Sequence, residues 1–598
     1  METKVKIFRM RYFFYFVIFS FFILWFCLFY LQIIRGKYFY QISEKNRRQV
    51  YLQRAPRGII YDRYGRILAD NGPLSGLFFS AENLDSETLK GTVKRLSGLL
   101  GFEEEKIWQK IKTEERSLVK RLKEGLSREE MFKVEENRTN LPGVNLQIEP
   151  RRRYPYGALA GHLLGYLGKI NQEELDRLFL EGYRQDDLLG KSGLEHTYDQ
   201  YLRGEPGGIE IEVDAQRRER RIIRNFSSLL GKNLFLTVDS ELQKVCEEEL
   251  KSRKKNGAII VLEPQTGEIL ALVSLPGYDP NLFTGLNNQK EVTRLLSDPQ
   301  LPLFNRTLQG LYPPGSVFKI ITAICALEEK KIDLKEEMFC SGSFSLGKRV
   351  FRCWKPEGHG CVSFLSALTH SCDVYFYQLG LRCGVDLLEK YAKKFGLDNL
   401  SQIDLPGEKK GLVPGRSWKR KYCASPWYEG DTVNLSIGQG YVLLTPLAAA
   451  NLAAILANRG KLYRPHLVKK IVDEENNTLL EMQPQEIFAL DLKVETWEIL
   501  NQGLKEAVLQ GTGRAASLPG IDIAGKTGTG ENPAGGDHAW FIGYAPAENP
   551  KIAFAIFVEH GGRGGVAAAP IAQKIVLTAL EKKEKETVSF EFNEKESD

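Results

Sequence analysis

The sequence predicts an α+β protein in which a single N-terminal transmembrane helix is followed by a mixed domain and then by a larger domain of helices and strands. Three observations carry that expectation. Positions 12–34 hold no charged residue, residues 46–225 interleave strand-like pieces with a charged helical stretch, and beyond 231 apolar helical segments alternate with Gly-rich strands. At 598 residues the chain exceeds what one core serves. A content of 43% hydrophobic and 26% charged residues is globular, and nine cysteines are too few for a disulfide scaffold. The net charge of +6 is small for such a surface and points to no nucleic-acid partner.

The run from Tyr12 to Ile34 is apolar on every face, and at about 1.5 Å per residue it crosses a hydrocarbon core of roughly 30 Å. It is longer than a signal-peptide core, and the residues after it (Gln32, Ile33, Ile34, Arg35, Gly36, Lys37) offer no small-x-small cleavage site. Lys4, Lys6, Arg9 and Arg11 favour a cytoplasmic stub over residues 1–11, a bias weakened by Arg35, Lys37, Lys45, Arg47 and Arg48 on the far side. The expectation is a single-pass anchor at 12–34 in the plasma (inner) membrane, with the body on the periplasmic, extracytoplasmic side.

The first domain is expected over 35–230. Residues 46–71 read as short strands and turns, 84–140 as a helical insertion, and about 145–225 as Gly-punctuated strands. The second spans 231–582. It opens with a strand at 234–239 and a helix over 241–255, and continues with two apolar strands across 257–276 joined by Pro-Gln-Thr-Gly. A strand at 552–560 and a helix near 568–581 close it. Residues 583–598 mix charges without periodicity and read as a flexible tail.

Ser-x-x-Lys on a helix places a hydroxyl and an amine on one face, where a neutral amine can take the hydroxyl proton during attack on a carbonyl. The pattern occurs at Ser117/Lys120, Ser252/Lys255, Ser316/Lys319 and Ser345/Lys348. Only the third follows a Tyr-Pro-Pro-Gly turn and leads into an apolar run, Ile320 to Leu327, whose burial would desolvate Lys319. The other three have charged or loop-like surroundings. Ser371-Cys372-Asp373 begins a further helical stretch, where Ser371 and Asp373 either cap the helix or present polar atoms to a site. Ala524-Gly525-Lys526-Thr527-Gly528-Thr529-Gly530 follows an apolar strand. There Lys526 points one way, Thr527 and Thr529 the other, and Gly528 leaves room for a ligand against the backbone.

In the order S-x-x-K, S-x-D, K-T-G-T, these segments resemble the active-site set of penicillin-recognising serine acyltransferases. Nearly the whole chain resembles the class B penicillin-binding proteins, and within them the penicillin-binding protein 2 branch of peptidoglycan D,D-transpeptidases. The likeness runs through R-A-P-R-G-I-I-Y-D-R-Y-G-R at 54–66, G-x-x-G-L-E-x-x-Y-D-x-x-L-R-G at 190–204, N-R-T-x-x-G-x-Y-P-P-G-S-x-x-K at 305–319 and D-H-A-W-F-I-G-Y-A-P at 537–546. The wider family often has Asn where Asp373 stands, and Asp is typical of that branch.

The resemblance implies a pedestal of the dimerisation type with a helical head over 35–230, and a transpeptidase domain with a central antiparallel sheet flanked by helices over 231–582. It implies cross-linking of stem peptides during cell elongation. Ser316 would attack the carbonyl of the penultimate D-Ala, and an amine on a neighbouring stem would take the acyl group. Lys319 would be the general base, Ser371 and Lys526 would shuttle protons and stabilise charge, and Asp373 would complete the set. Backbone N–H groups of Ser316 and Thr529 would form the oxyanion hole. Thr527, Gly528 and Thr529 would receive the donor's terminal carboxylate. β-Lactams would acylate Ser316. The pedestal would contact a SEDS-family glycosyltransferase and other elongation-complex proteins. The chemistry itself needs no cofactor. A D,D-carboxypeptidase using water as acceptor, a β-lactamase and a β-lactam sensor share the serine and lysines. The long anchored pedestal argues against a β-lactamase, and the short N-terminal stub against a sensor.

Cys340, Cys353, His359 and Cys372 lie between the first and third catalytic motifs and make up the Cys3His set of a closed structural zinc site, with Cys361 as a competing ligand. Disulfides or unrelated buried thiols are the alternatives. The resemblance favours metal, because relatives in the branch carry a site here with acidic residues in place of some cysteines. Zinc on Cys372 would pin Ser371 and Asp373.

Overall fold

The computed structural model describes residues 2–40, 48–80, 84–113, 119–185, 187–213, 219–285 and 288–581; the tail expected at 583–598 lies outside the described residues. The chain divides into two compact units. One comprises Met1–Pro56, Gly72–Arg151 and Gly204–Leu230, and the other Arg57–Asn71, Arg152–Arg203 and Gly231–Asp598.

In the first unit, an α-helix at Glu2–Phe29 continues as a π-helical turn at Tyr30–Ile34. Among the described residues it is the one helix long and apolar enough to cross a membrane, and none of the span from Tyr12 to Ile34 is buried. The stretch expected as a helical insertion holds helices Ser86–Leu100, Glu104–Thr113 and Arg128–Glu136, but also a strand, Val119–Glu124, that the charge-rich sequence concealed. That strand pairs antiparallel with Gly76–Ser80 and buries Leu122 against Leu77 and Phe79. A separate antiparallel sheet joins Arg48–Gln53, Gly207–Val213 and Glu219–Phe226.

In the second unit, two early segments pack with the C-terminal body, so its boundary differs from a linear one at 230/231. A buried ion cluster ties these two segments to each other. Arg57 Nη2 donates to Glu195 at 2.7 Å and to Asp199 at 2.8 Å, and Arg152 Nε donates to Glu195 at 2.6 Å. Buried charges require such partners, which binds the 57–71 and 152–203 segments together. Ile60 in turn pairs in parallel with Leu234.

The central sheet is five-stranded and wholly antiparallel. Its strands are β1 (Gly257–Leu262), β2 (Ile269–Leu275), β3 (Ala524–Gly530), β4 (His538–Ala545) and β5 (Ile552–Val558), in the order β2-β1-β5-β4-β3. The four apolar strands are buried along their whole length, so both faces are covered. Period-2 alternation splits their side chains between two cores. Ala258, Ile260, Trp540, Ile542 and Phe557 face one core, shared with α2 (Lys319–Glu328), α3 (Asp373–Cys383) and α4 (Pro446–Ala457). Ile259, Val261, Phe541, Phe554 and Ile556 face the other, shared with α1 (Ser240–Ser252) and α5, a helix over 569–581. Edge strand β3 packs against the 3-10 turn Gly315–Val317 that leads into α2.

Candidate active site

Ser316 sits in a 3-10 turn, Gly315–Val317, that runs into α2. The turn is seated on β3 by contacts only glycine allows. Gly315 adopts φ +54°, and a Cβ there would lie 2.2 Å from the Thr529 carbonyl oxygen; one on Gly528 would lie 2.6 Å from that of Pro314. Gly315 N–H also donates to Gly438 O at 3.0 Å. The backbones of the first and third motifs are thus pressed together.

Lys319, at the start of α2, is fully buried. Its Nζ donates to Ser371 O at 2.8 Å, to Ser371 Oγ at 3.2 Å and to Asp373 Oδ1 at 2.7 Å. The expected apolar burial is there, but with a carboxylate inside it. Asp373 Oδ2 accepts from Trp354 N–H at 2.8 Å, so both oxygens are engaged. Ser371 precedes α3 at φ +56°, a strained conformation for a residue with a side chain and one found at functional sites. Lys526 is also fully buried. Burial, reinforced by the Lys319 charge and opposed by Asp373, holds its pKa well below the ordinary lysine range.

Ser316, Ser371, Asp373, Thr527, Gly528 and Thr529 line one cleft of about 610 Å³. Neither Lys319 nor Lys526 is among its lining residues. The Thr527 hydroxyl is 2.7 Å from that of Thr512. Of the other Ser-x-x-Lys pairs, Ser252 ends α1 and Ser345 lies in a hairpin; Ser117 is outside the described residues. Sequence reasoning missed Gln439, whose Nε2 donates to Thr529 O at 2.9 Å and whose Oε1 accepts from Glu531 N–H at 3.2 Å. The signal was Gly438-Gln439-Gly440, with both glycines at positive φ. It missed Trp354 and the cleft-lining Arg514 and Arg563 as well.

The profile of the penicillin binding protein transpeptidase domain matches residues 257–577, and that of the penicillin-binding protein dimerisation domain matches 52–236. The chain belongs to the penicillin-binding protein transpeptidases. It is 36% identical to the peptidoglycan D,D-transpeptidase MrdA of Acinetobacter baumannii, over 90% of this chain and 82% of that relative. Penicillin-binding protein 2 of Helicobacter pylori, solved in complex with MreC, superposes with a TM-score of 0.78 at 29% identity, covering 89% of this chain and 99% of that one. A chain from a peptidoglycan synthase complex that coordinates polymerization and crosslinking superposes with a TM-score of 0.70 at 31% identity, covering 95% and 97%. This penicillin-binding protein is a membrane-anchored, serine-type peptidoglycan D,D-transpeptidase that acts in cell elongation.

Beside the cleft, the ligand atoms of Cys340, Cys353, His359 and Cys372 lie within 4.8 Å of one another. His359 Nδ1 is 3.6 Å from the Cys340 sulfur and 3.5 Å from that of Cys353. Tetrahedral zinc, with bonds of about 2.3 Å to sulfur and about 2.0 Å to nitrogen, sets that separation near 3.6 Å. A hydrogen bond from Cys372 is the main cause that pulls the Cys353 thiol down to about 5, towards the thiolate a metal binds. Cys361 is exposed and outside the cluster, and all nine cysteines are free thiols.

Proposed function

We propose that Ser316 is the nucleophile of a two-step acyl transfer. The observation that carries this reading is convergence: Ser316, Ser371, Asp373 and residues 527–529 line one cleft, with Lys319 bonded to both Ser371 and Asp373. Ser316 Oγ attacks the penultimate D-Ala carbonyl, the C–N bond breaks, and D-Ala departs with a proton. An amine of a second stem peptide then attacks the ester and restores the serine.

All three N–H bonds of the Lys319 ammonium are engaged in this resting arrangement, so it serves as base once one proton has moved on. Lys526, whose charged form burial disfavours, supplies a neutral amine to receive it, and Ser371 is the relay. Ser316 and Thr529 N–H groups stabilise the oxyanion, a reading supported by the close seating of Gly315 on Thr529. Thr527 and Thr529 hydroxyls take the terminal carboxylate, while the room left by Gly528 is filled by the Pro314 carbonyl of the nucleophile turn and not by a ligand. β-Lactams acylate Ser316 in place of substrate.

The Cys3His cluster fits structural zinc: Cys340, Cys353, His359 and Cys372 would hold it, and it would tie the loop carrying Trp354 to the start of α3. The basic stub at 1–11 supports a cytoplasmic N-terminus and an extracytoplasmic body. The relatives' complexes support an elongation-complex scaffold and a SEDS-family glycosyltransferase as partners of the pedestal. Labelling with a fluorescent penicillin tests the nucleophile. Ser316→Ala should melt like wild type and take no label; a labelled Ser316→Ala protein ends the assignment.

A further inference from the structure

The unit that holds the cleft also carries an aromatic surface that the acyl transfer does not use. The helix Arg416–Cys423 bears Trp418 and Tyr422 one turn apart, which sets them on one face. Their ring centroids are 5.7 Å apart, and the Tyr441 ring stands 5.2 Å from that of Trp418. Tyr422 is 63% exposed and Tyr441 37%, Trp418 is half-buried, and Tyr428 adds a further ring at 60% exposure.

These rings are fixed in place. The buried Lys419 holds its ammonium 4.9 Å from the centre of the Tyr428 ring, 5.7 Å from that of Tyr441 and 6.0 Å from that of Trp427. Asp431 meets the charge and also accepts from Tyr428 N–H at 2.8 Å, and Trp427 Nε1 donates to Thr432 Oγ1 at 2.8 Å. The ammonium, the carboxylate and the indole N–H are thus paired within the chain, and what the surface offers outward is aromatic area with phenol hydroxyls. Clustered, exposed and anchored Trp and Tyr rings mark a binding face, where a single exposed ring would need no explanation.

The position of the rings selects the occupant. Gln439 lines the catalytic cleft and Tyr441 follows two residues later, so their Cα atoms are at most about 7 Å apart. The cleft acts on stem peptides, and each stem is tethered to the sugar chain of peptidoglycan. A stem of about five residues reaches roughly 17 Å when extended, so one lodged at Ser316 leaves its own glycan within reach of Tyr441 and Trp418. Flat aromatic rings pack on the C–H faces of pyranoses, and phenol hydroxyls bond the sugars' hydroxyl and acetamido groups.

We propose that Trp418, Tyr422 and Tyr441 form a platform for the glycan strand of peptidoglycan, a β-linked chain of N-acetylated pyranoses, and hold the polymer while its stem peptide reacts. The inference rests on the reading of the cleft as the stem-peptide site, and it adds a second, sugar-binding contact to that site.

The full chain in detergent, with Ser316 first blocked by penicillin, is titrated with chitohexaose, a soluble β-1,4-linked N-acetylglucosamine oligomer without stem peptides, and followed by ligand-observed NMR. Saturable binding is expected, weakened about tenfold by Tyr422→Ala and further by the added Tyr441→Ala, while Tyr422→Phe keeps the ring and most of the affinity. Tyr422 is largely exposed, so Tyr422→Ala folds as wild type, which melting and fluorescent penicillin labelling verify. Labelling reads the nucleophile and the titration reads the rings, so the two readings can fail separately. No saturable binding to the wild type, or equal affinities for wild type and Tyr422→Ala, overturns the proposal. Binding to phosphatidylglycerol vesicles that Tyr422→Ala abolishes, with no response to the oligomer, overturns it as well and gives the rings to the membrane.

Discussion

Asp373→Asn is the substitution most sensitive to how the site is held together. The carboxylate serves two donors, Lys319 Nζ at 2.7 Å on one oxygen and Trp354 N–H at 2.8 Å on the other, and the residue is only 7% exposed. Asn has one acceptor oxygen. Turned towards Lys319, it sets its own NH2 against the Trp354 N–H; turned towards Trp354, it leaves a buried ammonium facing a donor. An orphaned buried donor costs about 1–3 kcal/mol, and loss of the charge-assisted bond adds a similar amount, giving about 3 kcal/mol in all. At roughly 2 °C per kcal/mol for a large domain, melting should fall by about 6 °C. Penicillin acylation should slow by about tenfold to hundredfold, because Lys319 and Ser371 lose their fixed orientation. Differential scanning fluorimetry and the rate of fluorescent penicillin labelling read the two effects. If Asp373→Asn melts and acylates like wild type, the carboxylate does not organise the site.

Gly315→Ala puts a methyl 2.2 Å from the Thr529 carbonyl at φ +54°. Displacing Ser316 by about an ångström should lower acylation about hundredfold, with a smaller loss of about 1–2 kcal/mol in stability. Complete chelation should lower the melting temperature and slow acylation together; unchanged values would remove zinc from the account. Lys526 gives a pH dependence of defined sign. Its pKa is depressed by burial first and by Lys319 second, so the native state resists a proton that the unfolded chain accepts below about 10.4. This contribution to stability is intact above that value and is lost as pH falls through the depressed folded value. Acylation should decline over the same range as Lys526 gains its charge, and a flat profile would contradict Lys526 as the neutral amine.

How much of this was legible in the sequence depended on whether a residue's role is set by its own chemistry or by its neighbour. The placement of Ser316 and Ser371 on one cleft, with Lys319 bonded to Ser371, was legible because three separate motifs occur together in one order, and the apolar strands β1, β2 and β5 announced themselves by composition. The strand Val119–Glu124 could not, since Lys120, Arg121, Lys123 and Glu124 read as a solvated helix until Leu77 and Phe79 arrive to bury Leu122. The membership of 57–71 and 152–203 in the catalytic unit was hidden for the same reason. Arg57, Arg152, Glu195 and Asp199 look like ordinary surface charges in one dimension, and only their long-range pairing shows that they are buried.

The site follows the same division. Gln439 has no reactive group, yet it bonds the backbone on both sides of Gly530, at Thr529 O and Glu531 N–H, and Gly438 just before it receives the Gly315 N–H. A Cβ on Gly438 would sit 2.1 Å from the Gly315 carbonyl oxygen, so this short segment and the nucleophile turn can meet only backbone to backbone. With β3 on one side and 438–439 on the other, the Ser316 turn is held by main-chain contacts that no side-chain replacement can mimic. The position of Ser316 against β3 is therefore a property of three glycines and one amide. In the proposed reaction the lysines move the proton, and it is this frame that fixes where the carbonyl must lie for them to act.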